Sequence, residues 1–386
     1  MTVHRLKFPV MFSFGFGQLA EAIKNSGFNV FLLFYYNQVL GVSATLTSVA
    51  LAIALMFDAV SDPLVGSFSD KLRTRFGRRH PLILMAALPL GLSFYCLFNP
   101  PSMTSDWAHF IWLLGFAILV RASLTLYHVP HLALGAELAE DYHQRSTLYA
   151  MSTFFGFLGG ALFVPVSYTL FFPTTDVFNP ALLNKAAYQP WSLMAAGLMI
   201  FAIVVCVIGT RREIPRLVQR VDSDARQLMR VSALIQEFRE AFNNRSFRAI
   251  FFGMMLSTLV LSVEGVFNPF MGFHFWGLTT EQLRWIPLAQ LVGLFLSLSL
   301  LPIMTRWLDK KRTLIVSALL VILNINIPIV LSLSGVSWFP AQGSQSLLIV
   351  LILSGLVTAI LAPIIFATLN SMFADIADEH ELDTGF

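Results

Sequence analysis

The sequence predicts an all-α integral membrane protein, built as two parallel six-helix halves with about ten spans present. Three observations predict it. Of 386 residues, 56% are hydrophobic and 12% charged, with a mean hydropathy of +0.72, whereas a soluble domain carries roughly 25% charged residues. The apolar residues fall in ten runs. The chain also repeats its own pattern at an offset near 239 residues. With 36 Phe residues to hide from water, the composition excludes a soluble enzyme, a disordered chain and a nucleic-acid binder.

A spanning helix needs about 20 mostly apolar residues. The first run starts near Phe8 and holds Glu21 and Lys24; no small-residue cleavage site follows it, so it is expected to be a span and not a signal peptide. The second centres near Leu55 and contains Asp58-Ala59-Val60-Ser61-Asp62-Pro63. The third, near Leu90, follows Gly77-Arg78-Arg79. The fourth, near Leu119, carries Arg121, Thr125, His128, Pro130 and His131. The fifth and sixth, near Leu158 and Ile200, are apolar through their centres. The seventh, near Val260, holds Glu264 and Asn268, and the last three centre near Leu294, Val321 and Val357. Lipid offers the backbone no hydrogen-bond partner, so these runs are helices, and they lack the alternation of barrel strands. Cys96 and Cys206 lie in apolar runs and imply neither a disulfide nor a thiol metal site.

Charge placement tests this map. Of 25 Lys and Arg, 21 fall in the loops expected inside, against Lys185 and Arg284 outside and Lys24 and Arg121 within spans. That asymmetry puts the N-terminus in the cytoplasm. Residues 211–248 form the longest polar stretch, with nine arginines. Leu234, Ile235, Phe238 and Phe242 recur there at helical spacing, as in a helix lying on the membrane surface.

Phe28-Asn29-Val30-Phe31 matches Phe267-Asn268-Pro269-Phe270, Asp70-Lys71 matches Asp309-Lys310, and Ala136-Glu137-Leu138-Ala139-Glu140-Asp141 matches Ala374-Asp375-Ile376-Ala377-Asp378-Glu379. Six helices fit within that offset, so both copies have the same membrane orientation, as in major facilitator carriers. The expected organisation is an N-terminal half over 1–210, a cytoplasmic linker over 211–245, and a C-terminal half over 246–386 that holds helices 7–10. By the repeat, a complete chain would have twelve spans over about 450–480 residues, so helices 11 and 12 are expected beyond Phe386; a natural ten-span remnant is the alternative.

Ionisable residues are expensive in lipid and mark functional paths. Asp58 and Asp62, four apart, share a helix face and repel unless a cation, a proton or a basic partner lies between them. A hard cation such as Na⁺ takes several oxygens, and Ser61 and Thr125 add two hydroxyls. The plainer alternative is an ion pair with Lys24 or Arg121 that only orients helices. Glu21, Lys24, Asn29, Arg121, His128, Glu264 and Asn268 are the candidate substrate contacts. Asp70, Arg73, Arg78, Arg79 and the repeat copy Asp309 are candidates for a charge lock that closes one face. No metal is expected beyond Na⁺ at Asp58 and Asp62.

At these residues the chain resembles the glycoside-pentoside-hexuronide:cation symporters, the family of melibiose permease. The matching stretches are Phe34-Tyr35-Tyr36 through Gly41, Asp58 to Pro63 with Gly66, Gly77, and Ala374-Asp375-Ile376. The resemblance implies that Asp58, Asp62 and Thr125 serve the coupling cation. The sugar site departs from melibiose permease: its helix 1 aspartate falls on Ala22, its helix 4 aspartate on His128 and tryptophan on Leu132, and its helix 5 arginine on Thr153.

The function expected is cation-coupled symport, with H⁺ or Na⁺, importing a sugar, glycoside or uronide by alternating access. A carrier of an amphiphile such as a lysophospholipid is one alternative. A Mg²⁺-dependent prenyltransferase using the D-x-x-x-D helix is another. No cofactor is expected. The partners expected are a small-molecule substrate and the bilayer, with no nucleic acid, in a monomer of the bacterial plasma membrane.

Overall fold

The computed structural model describes residues 6–139, 142–221, 242 and 245–384, with helices and no strands among them. The first span, α1, runs as α-helix over Phe8–Gly17 and Leu19–Ser26 and as π-helix over Gly27–Leu32 and Tyr35–Val39. It is followed by α2 (Ala44–Lys71), α3 (His80–Leu97), α4 (Asp106–Leu138), α5 (Tyr142–Leu170) and α6 (Tyr188–Thr210). After the linker come α7 (Arg245–Phe270, continued as π-helix over Met271–Phe275), α8 and α9 as the two limbs of Trp285–Leu333, and α10 (Gln345–Thr384).

Eight described helices are long and apolar enough to cross a membrane. Two features reconcile that number with ten runs. α1 is helical throughout but broken into short α and π pieces. The stretch Thr280–Leu333 is 54 residues long, and Asp309 inside it has φ 64° and ψ 161°, which splits it into two spans. The turn expected around Asp309 is thus a single left-handed residue rather than a loop like that between α2 and α3. Of the expected linker helix, Leu234, Ile235 and Phe238 lie outside the described residues, as do Arg5, Glu140 and Asp141.

The chain divides into two compact units, Met1–Ala225 and Arg226–Phe386. In the first, α1 packs on α5 and α6, α4 packs on α2 and α3, and α3 packs on α6. Its centre is aromatic. Trp191 is fully buried, with the rings of Phe31 and Phe98 at 4.5 Å and 4.8 Å. Its indole Nε1 donates to Ser167 Oγ at 2.8 Å, and the Tyr36 hydroxyl donates to the Leu97 carbonyl at 2.8 Å. Aromatic rings bury much area and carry a polar handle that needs a partner in lipid. α1 approaches α4 closely at Gly17, where an added Cβ would come within 2.5 Å of the Tyr127 hydroxyl.

In the second unit α10 packs on α7, α8 and α9. Asn324 Nδ2 donates to the Ser354 carbonyl at 2.8 Å and to Thr358 Oγ1 at 3.0 Å. Ile250, Ile365 and Leu369 form a small buried core there. Apolar side chains such as Leu259, Val260 and Leu298 face outward, as expected where lipid is the solvent.

Candidate functional site

Arg121, Thr125 and His128 fall at i, i+4 and i+7 of α4, so they share one face. α2 presents Asp58, Ser61 and Asp62 to that face, and α1 presents Gln18, Glu21 and Asn25. Arg121 Nη1 donates to Asp58 Oδ2 in an ion pair. Thr125 Oγ1 donates to Asp62 Oδ1 at 2.8 Å, and the Ser61 and Thr125 hydroxyls are 3.4 Å apart. Thr125 and Ser61 are buried, at 5% and 7% exposure, while Asp62 is exposed. The two aspartates are therefore unlike. Asp58 has a guanidinium on one oxygen, and its Oδ1 is buried without a hydrogen-bond partner. Asp62 accepts from the Thr125 hydroxyl.

Glu21 closes the cluster on the α1 side. Its Oε2 faces His128 Nδ1 at 3.1 Å and accepts from Gln18 Nε2. Its Oε1 accepts from Asn25 Nδ2 at 3.4 Å. Lys24 is 5% exposed, donates to Asn25 Oδ1 at 3.3 Å and lies 4.7 Å from the centre of the Phe28 ring. Asn29 is exposed on α1, while Glu264 is half-buried and Asn268 exposed on α7. His131 has a different place. It is fully buried, Phe14 stacks on it at 4.2 Å, and its Nε2 is 3.0 Å from the Phe14 carbonyl. It braces α4 against α1. Among the described residues, no three His, Cys, Asp or Glu come together as metal ligands; oxygens for a hard cation would come from Asp58, Asp62, Ser61 and Thr125.

A second network lies where α2 and α4 end and α3 begins. Arg79, 6% exposed, donates to Asp70 Oδ1 at 2.5 Å, to Ser69 Oγ at 2.6 Å and to Glu137 Oε1 at 2.9 Å. Arg78 Nη2 donates to the same Glu137 oxygen at 2.9 Å. Gly77 makes the turn with φ +82°, a conformation that glycine adopts without strain. Arg73 is not part of this network; it lines an adjoining cavity of about 350 Å³ with Arg75, Arg78, Arg79, His80 and Glu137. Asp70 thus pairs with Arg79 rather than with Lys71, Arg73 or Arg75, its nearer basic neighbours in sequence. Asp309 is exposed at the α8–α9 kink.

Gln18, Asn25, Ser69 and Glu137 join these networks without having been singled out in the sequence. Gln18 carries a readable signal, one turn before Glu21. Glu137 carries another, inside the repeated segment that starts at Ala136.

Residues 13–386 match the family model described as MFS/sugar transport protein. An uncharacterized symporter of Synechocystis sp. is 31% identical over 176 residues, 44% of this chain and 32% of that protein. A glucuronide carrier protein homolog of Escherichia coli is 24% identical over 323 residues, 82% of this chain and 66% of that protein. The chain spans less than two thirds of the length of these curated relatives. The structure of the xylose transporter XylE from E. coli, in a partially occluded inward open conformation, matches with a TM-score of 0.58 at 15% identity, covering 96% of this chain and 86% of that one. The helical order, the intramembrane carboxylates and a model match across nearly the whole chain agree: the protein belongs to the MFS/sugar transport protein family.

Proposed function

We propose that this chain acts in a cation-coupled symporter that imports a sugar, glycoside or uronide, with H⁺ or Na⁺ as the coupling ion. The observation that carries the reading is the α2–α4 contact, where Asp58, Asp62, Ser61 and Thr125 bring two carboxylates and two hydroxyls together inside spanning helices. Such a group binds a small cation or shares a proton, and either event changes the charge that Arg121 meets on Asp58. The glucuronide carrier homolog among the relatives supports a sugar or uronide as cargo. The fold and family are those of transporters, and nothing at the D-x-x-x-D helix favours prenyl transfer.

Glu21, Asn25, His128 and Gln18 offer donors and acceptors for sugar hydroxyls, in the same cluster as the ion-binding group. The Arg78–Arg79–Glu137–Asp70 network is the charge lock at the cytoplasmic end, and its ion pairs must break or rearrange when that end opens. The chain sits as a multi-pass monomer in the bacterial inner membrane with its N-terminus in the cytoplasm, a reading supported by the asymmetry of Lys and Arg. The test is uptake into proteoliposomes by the full-length protein, with a panel of sugars, glycosides and uronides under an imposed Na⁺ or pH gradient. Gradient-driven accumulation supports the reading; binding with no flux in either gradient would overturn it.

A further inference from the structure

Serine and threonine hydroxyls inside a helix commonly donate back to the carbonyl one turn earlier. Ser167, Thr169, Thr258 and Thr368 do so here. Thr125 reaches across to another helix instead, donating to Asp62. Ser152 of α5 does the same. It is 5% exposed, and its Oγ donates to Gln18 Oε1 on α1 at 3.2 Å. The Gln18 amide is thereby fixed, with its oxygen toward α5 and its nitrogen donating to Glu21 Oε2. The same Glu21 oxygen faces His128 Nδ1 at 3.1 Å, and its Oε1 accepts from Asn25. A chain of contacts thus runs from Ser152 through Gln18 and Glu21 to His128, across α5, α1 and α4. Gly156, one turn after Ser152, leaves room for it: an added Cβ there would come within 3.2 Å of Gln18 Cγ.

We propose that Ser152 is a positioning residue for the substrate cluster, acting through Gln18 on the Glu21 carboxylate. This rests on the sugar-transport reading above and deepens it. An amide donates at one end and accepts at the other, and one orientation suits Glu21: turned over, the amide would set its oxygen against a carboxylate oxygen. Ser152 supplies the donor that the Gln18 oxygen needs, so the orientation that suits Glu21 is also the one that strands no acceptor on the α5 side. Without that hydroxyl Gln18 loses its anchor on α5, and Glu21 loses a fixed neighbour although neither residue has been changed. The hydroxyl acts on Gln18 and not on the cargo, so its loss weakens cargo binding rather than turnover.

The test uses the full-length protein in proteoliposomes as wild type, Ser152→Ala, Ser152→Thr, Gln18→Leu and the Ser152→Ala, Gln18→Leu double variant, each checked by a thermal-unfolding scan. The first readout needs no cargo: the rate at which dicyclohexylcarbodiimide modifies Glu21, followed by mass spectrometry of the peptide that carries it. A carboxyl oxygen released from a fixed donor is freer to attack the reagent. Ser152→Ala is expected to raise the rate about fivefold, the scale of one hydrogen bond, and Ser152→Thr to restore it. The double variant is expected to match Gln18→Leu, because the hydroxyl acts only through that amide. The second readout is uptake of each panel sugar that the wild type carries. There Ser152→Ala is expected to raise the half-saturating concentration about fivefold with the maximal rate little changed. An unchanged modification rate in Ser152→Ala, additive effects in the double variant, or a loss confined to the maximal rate overturns the inference and leaves sugar transport standing. A panel in which no sugar moves sinks the transport reading, and the modification rates still decide whether Ser152 holds Glu21 through Gln18.

Discussion

At the scale of single residues, the two intramembrane aspartates have different work. Asp58 neutralises Arg121, so Asp58→Asn strands a guanidinium that is only 12% exposed. Removing one partner of a mostly buried ion pair is strongly destabilising, and a fall in melting temperature of the purified variant is expected. Asp62 is exposed and forms no direct ion pair among the described residues, so Asp62→Asn should leave the melting temperature close to wild type. It should nevertheless abolish accumulation against a gradient; unchanged accumulation would remove Asp62 from the cation path. His128 touches Glu21 rather than the core. His128→Ala is expected to raise the half-saturating substrate concentration by about tenfold, equivalent to about 1.4 kcal/mol, and the same measurement on Asn29→Ala gives the reference for an exposed α1 residue. His131, three residues on, serves packing, because its ring is clamped by Phe14 and its Nε2 by a backbone carbonyl.

At the scale of elements, α1 and α7 share an irregularity. Both turn from α-helix to π-helix, over Gly27–Leu32 and Tyr35–Val39 in one and over Met271–Phe275 in the other. These segments lie within or just after the repeated Phe-Asn-x-Phe motif at Phe28 and Phe267. A π segment widens the helix and shifts the side-chain register, so the polar face of α1 below Gly27 and its aromatic face above need not follow one period. The aromatic face is held by Trp191 from α6. Trp191→Ala removes a fully buried indole and is expected to cost about 3–5 kcal/mol, read as a lower melting temperature in detergent. At the other end of the unit, Glu137 ties α4 to the α2–α3 turn by accepting from both Arg78 and Arg79. Glu137→Gln keeps the shape and removes the charge. Labelling of a cysteine at Leu134, buried beside the network, should speed up in this variant if the network is a lock, and an unchanged rate would make it a static anchor.

At the scale of the whole molecule, two compact units divide at residue 225, and the arginine-rich stretch 211–248 runs across that division. Sidedness is the property most open to a direct check. With Cys96 and Cys206 replaced, Phe76→Cys is expected to react with a membrane-impermeant maleimide only from the cytoplasmic side and Ala341→Cys only from the outside. The reverse pattern would overturn the orientation drawn from Lys and Arg placement. Both positions are exposed in loops or turns, so labelling there reports access and not unfolding.

The sequence by itself determined the class, the ten helical paths, and the shared face of Asp58 and Asp62. Each rests on a constraint local in the chain: lipid demands apolar helices of a minimum length, and a spacing of four puts two carboxylates on one face. The repeat needed only a comparison of the chain with itself. What the tertiary structure decided is pairing across helices. Arg121 rather than Lys24 reaches Asp58, Arg79 rather than Lys71 or Arg73 reaches Asp70, and His131 turns to the core while His128 turns to Glu21. Periodicity fixes which residues share a face of one helix. It leaves open how each helix is rotated against its neighbours, which the packing of bulky groups such as Trp191, Phe14 and Phe31 sets. That rotation is why Arg121 takes Asp58 while Lys24 lies buried against Phe28 and donates to Asn25.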